Sequence, residues 1–259
     1  MPKAQAAVAR ALEIDPELPE GYIARGLIKH FYEWDIAGGN ADFERAIALD
    51  PNNATGHHLY GKSLPETGEF DRAFAELARA LELEPFSTGI NKDLGETYYY
   101  ARRYDEAIAQ FEKTLEIEPG SPSILFWLMR CFEVQGMRDR AIEIHLERLL
   151  LPGIKSDGAA LQPSEVEALR EVYRTRGWEA FWRARLEIMK ETASRQYVEP
   201  FRFVEIYIRL GDYEAAFAAL ETALRQRSSW IETIPIDPLL DPLRADPRLA
   251  ELMQRAGMR

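Results

Sequence analysis

An all-α fold, a right-handed stack of helical hairpins with a helical cap at its C-terminus, is predicted by three observations. Pro51, Pro85 and Pro119 stand 34 residues apart. Gly61 and Gly95, Ala73 and Ala107, and Leu81 and Leu115 keep the same interval. Each unit carries two helical patterns with a turn between them, and a helix–turn–helix repeated at this period stacks on its own copies. Such a stack grows by adding neighbours, so 259 residues need no single large core.

Taken in order, residues from Lys3 to Leu12 predict a helix with Ala4, Val8 and Ala11 on one side and Asp15-Pro16 closing it. It has the spacing of the second helix of a unit, and its first helix is missing, which predicts that the chain is a piece of a longer protein and leaves Met1 open as the natural start. The next unit spans about Glu20 to Pro51. It has one residue more between Gly26 and Ala46 than the later units have between the matching positions, and the Gly38-Gly39 region is expected to absorb it. Trp34 is expected to anchor that turn by packing. In the third and fourth units Gly61 faces Ala73 and Gly95 faces Ala107, where small side chains let two backbones approach. Gly68 breaks one turn and Arg102 takes that place in the next. The fifth unit, about Pro122 to Leu151, puts Met129 where glycine stood but keeps Gly136 and Ala141.

From Pro152-Gly153 to Gln162-Pro163 the chain reads as a loop. Ser164 and Glu167 form a capping-box signature for a helix ending near Gly177, followed by a second with Trp178, Phe181, Trp182, Leu186 and Met189 on its apolar side. A last clear unit starts near Tyr197. Three Asp-Pro pairs, at 237–238, 241–242 and 246–247, are helix-start signals, and Leu249, Leu252 and Met253 give the closing helix an apolar face. The segments expected are 1–153 as the repeat array, 154–196 as loop and irregular hairpin, and 197–259 as last unit and cap.

The net charge of −11 is poor equipment for gripping nucleic acid or an anionic membrane surface. No apolar run reaches the length of a membrane-spanning helix, the N-terminus has no signal-peptide core, and the cytoplasm is the expected compartment. The single cysteine, Cys131, excludes an internal disulfide and sits between apolar neighbours as a small hydrophobe. The stretch Arg170–Arg195 interleaves seven Lys or Arg and four Glu with aromatics. The aromatic spacing matches a helix core better than a nucleic-acid surface.

These repeat marks make the chain resemble the tetratricopeptide repeat (TPR) proteins. A narrower likeness rests on Tyr32–Gly38, Thr55–Gly61, Tyr99–Ala107 and Asp241–Arg248, which resemble the C-terminal TPR regions of bacterial multidomain signalling proteins. In those, a winged-helix, serine/threonine kinase or nucleotide cyclase domain precedes the repeats, and none is present here. The resemblance implies a concave groove lined by the first helices, placing there His58 and Lys62, then Lys92, Glu96, Tyr99 and Tyr100, then Phe126 and Arg130. Cations beside aromatic platforms suit an extended or helical peptide of some acidic character. An ordinary solvated helix face is the alternative. A carboxylate clamp of the kind some of these proteins use would ask for asparagine at Glu96 and at Trp127, so that version is not expected.

His57 and His58 are adjacent and point to different helix faces, and no Cys or carboxylate stands at zinc-ligand spacing, so no metal or other cofactor is expected. Neither a phosphate-binding glycine loop nor a nucleophile elbow occurs, and catalysis is not expected. The expectation is a non-catalytic module that holds a protein or peptide in its groove. A regulatory or self-association domain detached from a signalling protein, with a homodimer as one form of it, is the second possibility.

Overall fold

Three positions set by the 34-residue step carry a left-handed backbone: Gly68 (φ 80°), Arg102 (φ 62°) and Gly136 (φ 74°). Each reverses the chain between two helices of a hairpin, as Gly211 (φ 70°) does further on. The resulting structure, a computed structural model describing residues 1–151 and 160–257, is all-α, with no strand among the described residues. Two compact units are present, Met1–Ile117 and Glu118–Arg259.

The first unit holds α1 (Pro2–Ile14), α2 (Pro19–Ile28), α3 (Ile36–Leu49), α4 (Ala54–Ser63), α5 (Phe70–Leu83), α6 (Thr88–Tyr100) and α7 (Tyr104–Ile117). Hairpins α2–α3, α4–α5 and α6–α7 stack through α3 on α4 and α5 on α6, while α2, α4 and α6 touch in succession and form one face. Asn53 caps α4 by accepting the Gly56 N–H at 2.9 Å, and Asp35 caps α3 through Gly38 at the same distance. Glycines sit where the hairpins close. A Cβ on Gly61 would lie 2.7 Å from Leu77 and 3.1 Å from the Ala73 carbonyl, and one on Gly95 would lie 2.5 Å from the Phe111 ring. Phe43, Tyr60, Leu64 and Ala73 form one core cluster, and Leu77, Ala80 and Ile90 another. Helix α1 packs on α2 but buries none of its own residues, and a cleft of about 480 Å³ opens beside Val8, Leu12 and Ile28.

The extra residue of the second unit is not absorbed at Gly38-Gly39. The chain makes a π-helical turn at Lys29–Glu33, and half-buried Trp34 ends it with φ 58°. A π turn holds one more residue than an α turn, so it takes up the insertion before the hairpin reverses. Gly39 is instead a packing residue, its carbonyl 3.1 Å from the Cβ position of Gly26.

The second unit holds α8 (Pro122–Val134), α9 (Arg138–Leu149), α10 (Pro163–Ala193), α11 (Pro200–Arg209), α12 (Tyr213–Arg225) and α13 (Pro247–Arg255). Helix α8 is buried on all sides from Ile124 to Phe132, the pattern of a central helix. Cys131 is part of that core, where burial pushes its thiol up to about 12. Helix α10 breaks at Gly177 (φ 78°), as the sequence predicts, but opens on a different capping box. Gln162 is the N-cap, and Glu165 accepts its N–H at 2.7 Å, because Pro163 fills the first helical position. Phe181 and Trp182 are buried, so the aromatics of this stretch do fill a core. Residues 152–159, most of the expected loop, lie outside the described residues, and so does the expected segment boundary at 153.

The three Asp-Pro pairs serve unequally. Asp246 caps α13 through Arg248, and Asp237 caps a 3-10 turn, Pro238–Leu243, through Leu239. Pro242 falls inside that turn, so Asp241 starts no helix. Leu249 and Leu252 bury the closing helix against α12.

Candidate ligand-binding face

Asp93 sits on α6 and is 3% exposed, a carboxylate that only counter-charges could keep there. Three cationic or protonatable groups meet it. His58 Nε2 is 2.8 Å and Lys62 Nζ 3.2 Å from one oxygen, both from α4, and Lys92 Nζ is 2.8 Å from the other. Lys92 also reaches Glu96 at 2.8 Å, one helical turn on. Burial pushes the Asp93 carboxyl toward the neutral form, but Lys62, the His58 hydrogen bond and Lys92 outweigh it and hold the group well below its ordinary range. Lys92 is held above its ordinary value, since Glu96 and Asp93 overcome the cost of its burial.

The spacing of the side chains follows from the backbone. His58 and Lys62 lie four residues apart and share one face of α4, as Lys92 and Glu96 do on α6. Because α4 and α6 are neighbours, the two faces meet over Asp93. His57 points the other way, giving Nδ1 to Glu76 at 2.6 Å and Nε2 to the Pro51 carbonyl at 3.0 Å, so it ties α4 to its own hairpin. A similar motif recurs one unit earlier. Asp42, 4% exposed, receives a two-pronged contact from Arg25 and a 2.8 Å contact from Lys29.

The eight residues expected in the groove therefore separate. His58, Lys62, Lys92 and Glu96 stay together on the α4–α6 face, with side chains 21%, 39%, 24% and 15% exposed. Tyr99 and Tyr100 are buried in the first unit, Tyr99 between the rings of Tyr100 and Tyr104. Phe126 and Arg130 are interior in the second unit, where the Arg130 guanidinium lies over the Phe126 ring and reaches Asp237. These four shape the protein beneath its surface and present no open platform. The residue that organises the face, Asp93, was not among the eight. Its signal was in the repeat register: the positions 34 residues before and after it are Leu59 and Trp127, so a carboxylate there falls on an apolar row.

Among the described residues no helix is long and apolar enough to cross a membrane. The architecture is that of a tetratricopeptide-repeat solenoid. Two stretches, 98–151 and 201–229, match the tetratricopeptide repeat family itself. Solved structures agree on the fold. The chain is similar to PilW, a type IV pilus biogenesis factor, at 16% identity over 93% of this chain and 89% of that one, with a TM-score of 0.55. It is similar to a chain of the APC/C hetero-tetramer Cut9–Hcn1 at 16% identity over 98% of its own length and 42% of the other's, with a TM-score of 0.57. It is also similar to PilF of Pseudomonas aeruginosa at 17% identity, covering 98% and 89%, with a TM-score of 0.50. Comparison with curated protein sequences gives no match.

Proposed function

We propose that the chain is a non-catalytic protein-interaction module and that the α4–α6 face binds a peptide carrying acidic side chains. The observation that carries this reading is the cluster on Asp93. A buried carboxylate fixes the stems of Lys62 and Lys92 side by side, with His58 beside them, and leaves part of each ammonium in water. Cations held in place beforehand lose little freedom when a ligand carboxylate arrives. The first helices of stacked repeats supply the extended surface such proteins use, and a peptide is the ligand form that surface fits. Glu96 at the edge of the cluster limits the excess positive charge and favours a ligand with spaced, not contiguous, acidic residues.

Selection from a displayed peptide library tests the reading. Enrichment of peptides with Asp or Glu at fixed spacing, bound less tightly as salt rises, is the expected result. Enrichment of basic or purely apolar peptides would overturn it.

A further inference from the structure

The second unit buries an unusual number of guanidiniums. Arg130, Arg148, Arg185 and Arg202 are each no more than 4% exposed, and the side chain of Arg209 is 3% exposed. Four of them, Arg148, Arg185, Arg202 and Arg209, come from α9, α10 and α11 to line one internal gap of about 20 Å³, with His145 and Glu205 also on its wall. Glu205 is the one carboxylate lining the gap; it takes the Arg202 Nη1 at 2.7 Å. Arg209 grips Glu133 with two prongs at 2.8 and 2.7 Å, and Arg148 gives its Nε to the Pro122 carbonyl at 3.0 Å. The guanidinium planes are held by rings, Arg202 over Phe126 and Trp230 at 4.4 Å and Arg209 over Trp182 at 4.5 Å.

We propose that this gap is a binding site for one small monovalent anion of halide size. Charge points there first. Each arginine also engages groups of the protein, yet four fixed cations and a single carboxylate surround the gap, and in a water-poor interior an anion gains far more from them than it would at the surface. Size points there next. The gap has room for about one water-sized species, so a halide fits while a phosphate or sulfate, with four oxygens, does not. Chemistry agrees, because a guanidinium is weakly hydrated, always charged and offers several donors in a rigid plane. The site is separate from the proposed peptide face, and an ion there would hold α9, α10 and α11 together.

Crystals grown or soaked in sodium bromide test the site through the anomalous signal of bromine. A bromide peak between Arg148, Arg185, Arg202 and Arg209 is expected; ordered bromides elsewhere with none in the gap would overturn the proposal. Thermal unfolding at constant sodium concentration, with chloride replacing gluconate, gives an independent readout, since gluconate is too large to enter. The midpoint should rise with chloride and saturate, as linkage to a single site requires. Arg185→Gln and, separately, Arg148→Gln should weaken the chloride dependence at least tenfold. An identical midpoint in both salts, or a linear drift without saturation, contradicts the proposal. Should neither variant fold, the bromide map and the titration of the parent chain still decide.

Discussion

Nη2 of Arg130 reaches both carboxylate oxygens of Asp237, at 2.6 and 2.7 Å, across 107 residues of chain and with both side chains almost wholly buried. This pair links the central helix α8 to the 3-10 turn before the closing helix, and Glu205 stands 3.6 Å from the same guanidinium. Asp237 thus has two tasks, since it also caps its own turn through the Leu239 N–H at 2.9 Å.

Removing one side of the pair should be costly. Asp237→Asn leaves the Arg130 charge buried beside a neutral group, and the expected loss is about 3–5 kcal/mol. Replacing both, as Arg130→Met with Asp237→Leu, should cost less than the single change. Urea unfolding followed by tryptophan fluorescence checks this, because Trp127, Trp178, Trp182 and Trp230 all lie in this unit.

The hairpin glycines give a steric prediction. A Cβ on Gly61 would stand 3.0 Å from the Leu77 nitrogen and 3.1 Å from the Ala73 carbonyl oxygen, both backbone atoms that cannot swing aside. On Gly95 the near atoms belong to the Phe111 ring, a side chain with some freedom. Gly61→Ala should destabilise by about 1–3 kcal/mol, and by more than Gly95→Ala does in parallel denaturation curves.

Arg102 offers the opposite sign. It occupies the left-handed turn that Gly68 and Gly136 occupy in the neighbouring hairpins. A side chain in that region costs about 1–2 kcal/mol, so Arg102→Gly should raise the unfolding midpoint, whereas Gly136→Ala should lower it.

The Asp93 cluster sets a pH dependence. Its folded-state carboxyl is held below the ordinary value of 3.8, so the stabilisation it gives is fully present above that pH and is lost as pH falls toward the folded value. Asp93→Asn should therefore lower the melting temperature most near neutrality, and the gap to the parent chain should narrow below pH 3.8. Lys92, held above 10.5, gives its share in full throughout this range and loses it only in strong alkali.

What could be read from the sequence was what the repeat period enforces. The 34-residue step gave the hairpins, the small residues where helices cross and the left-handed turn shared by Gly68, Arg102 and Gly136. The π turn at Lys29–Glu33 was visible only as one residue too many, because an insertion can be taken up at several places along a helix–turn–helix. Arg130 shows a second limit. Its position in the helix places it toward the groove, yet Asp237 lies 107 residues away with no periodic relation to it, and long-range charge pairing leaves no local trace. Asp93 was legible in principle, as a carboxylate standing on the row of Leu59 and Trp127. Half the candidate face follows from helix register alone; the Asp93 centre that organises it follows from the partners that burial forces on a charge.

The central claim is that Lys62 and Lys92, set over Asp93, hold acidic groups of a bound peptide. The most direct measurement is the affinity of a library-selected acidic peptide for the parent chain and for Lys62→Ala, with equal helicity and melting temperature confirmed for both. Lys62 is the variant of choice because Lys92 and His58 remain to hold Asp93. At least tenfold weaker binding by the variant, with a shallower salt dependence, is the predicted result. Equal affinity and an unchanged salt dependence would contradict the account and remove the α4–α6 face as the binding surface.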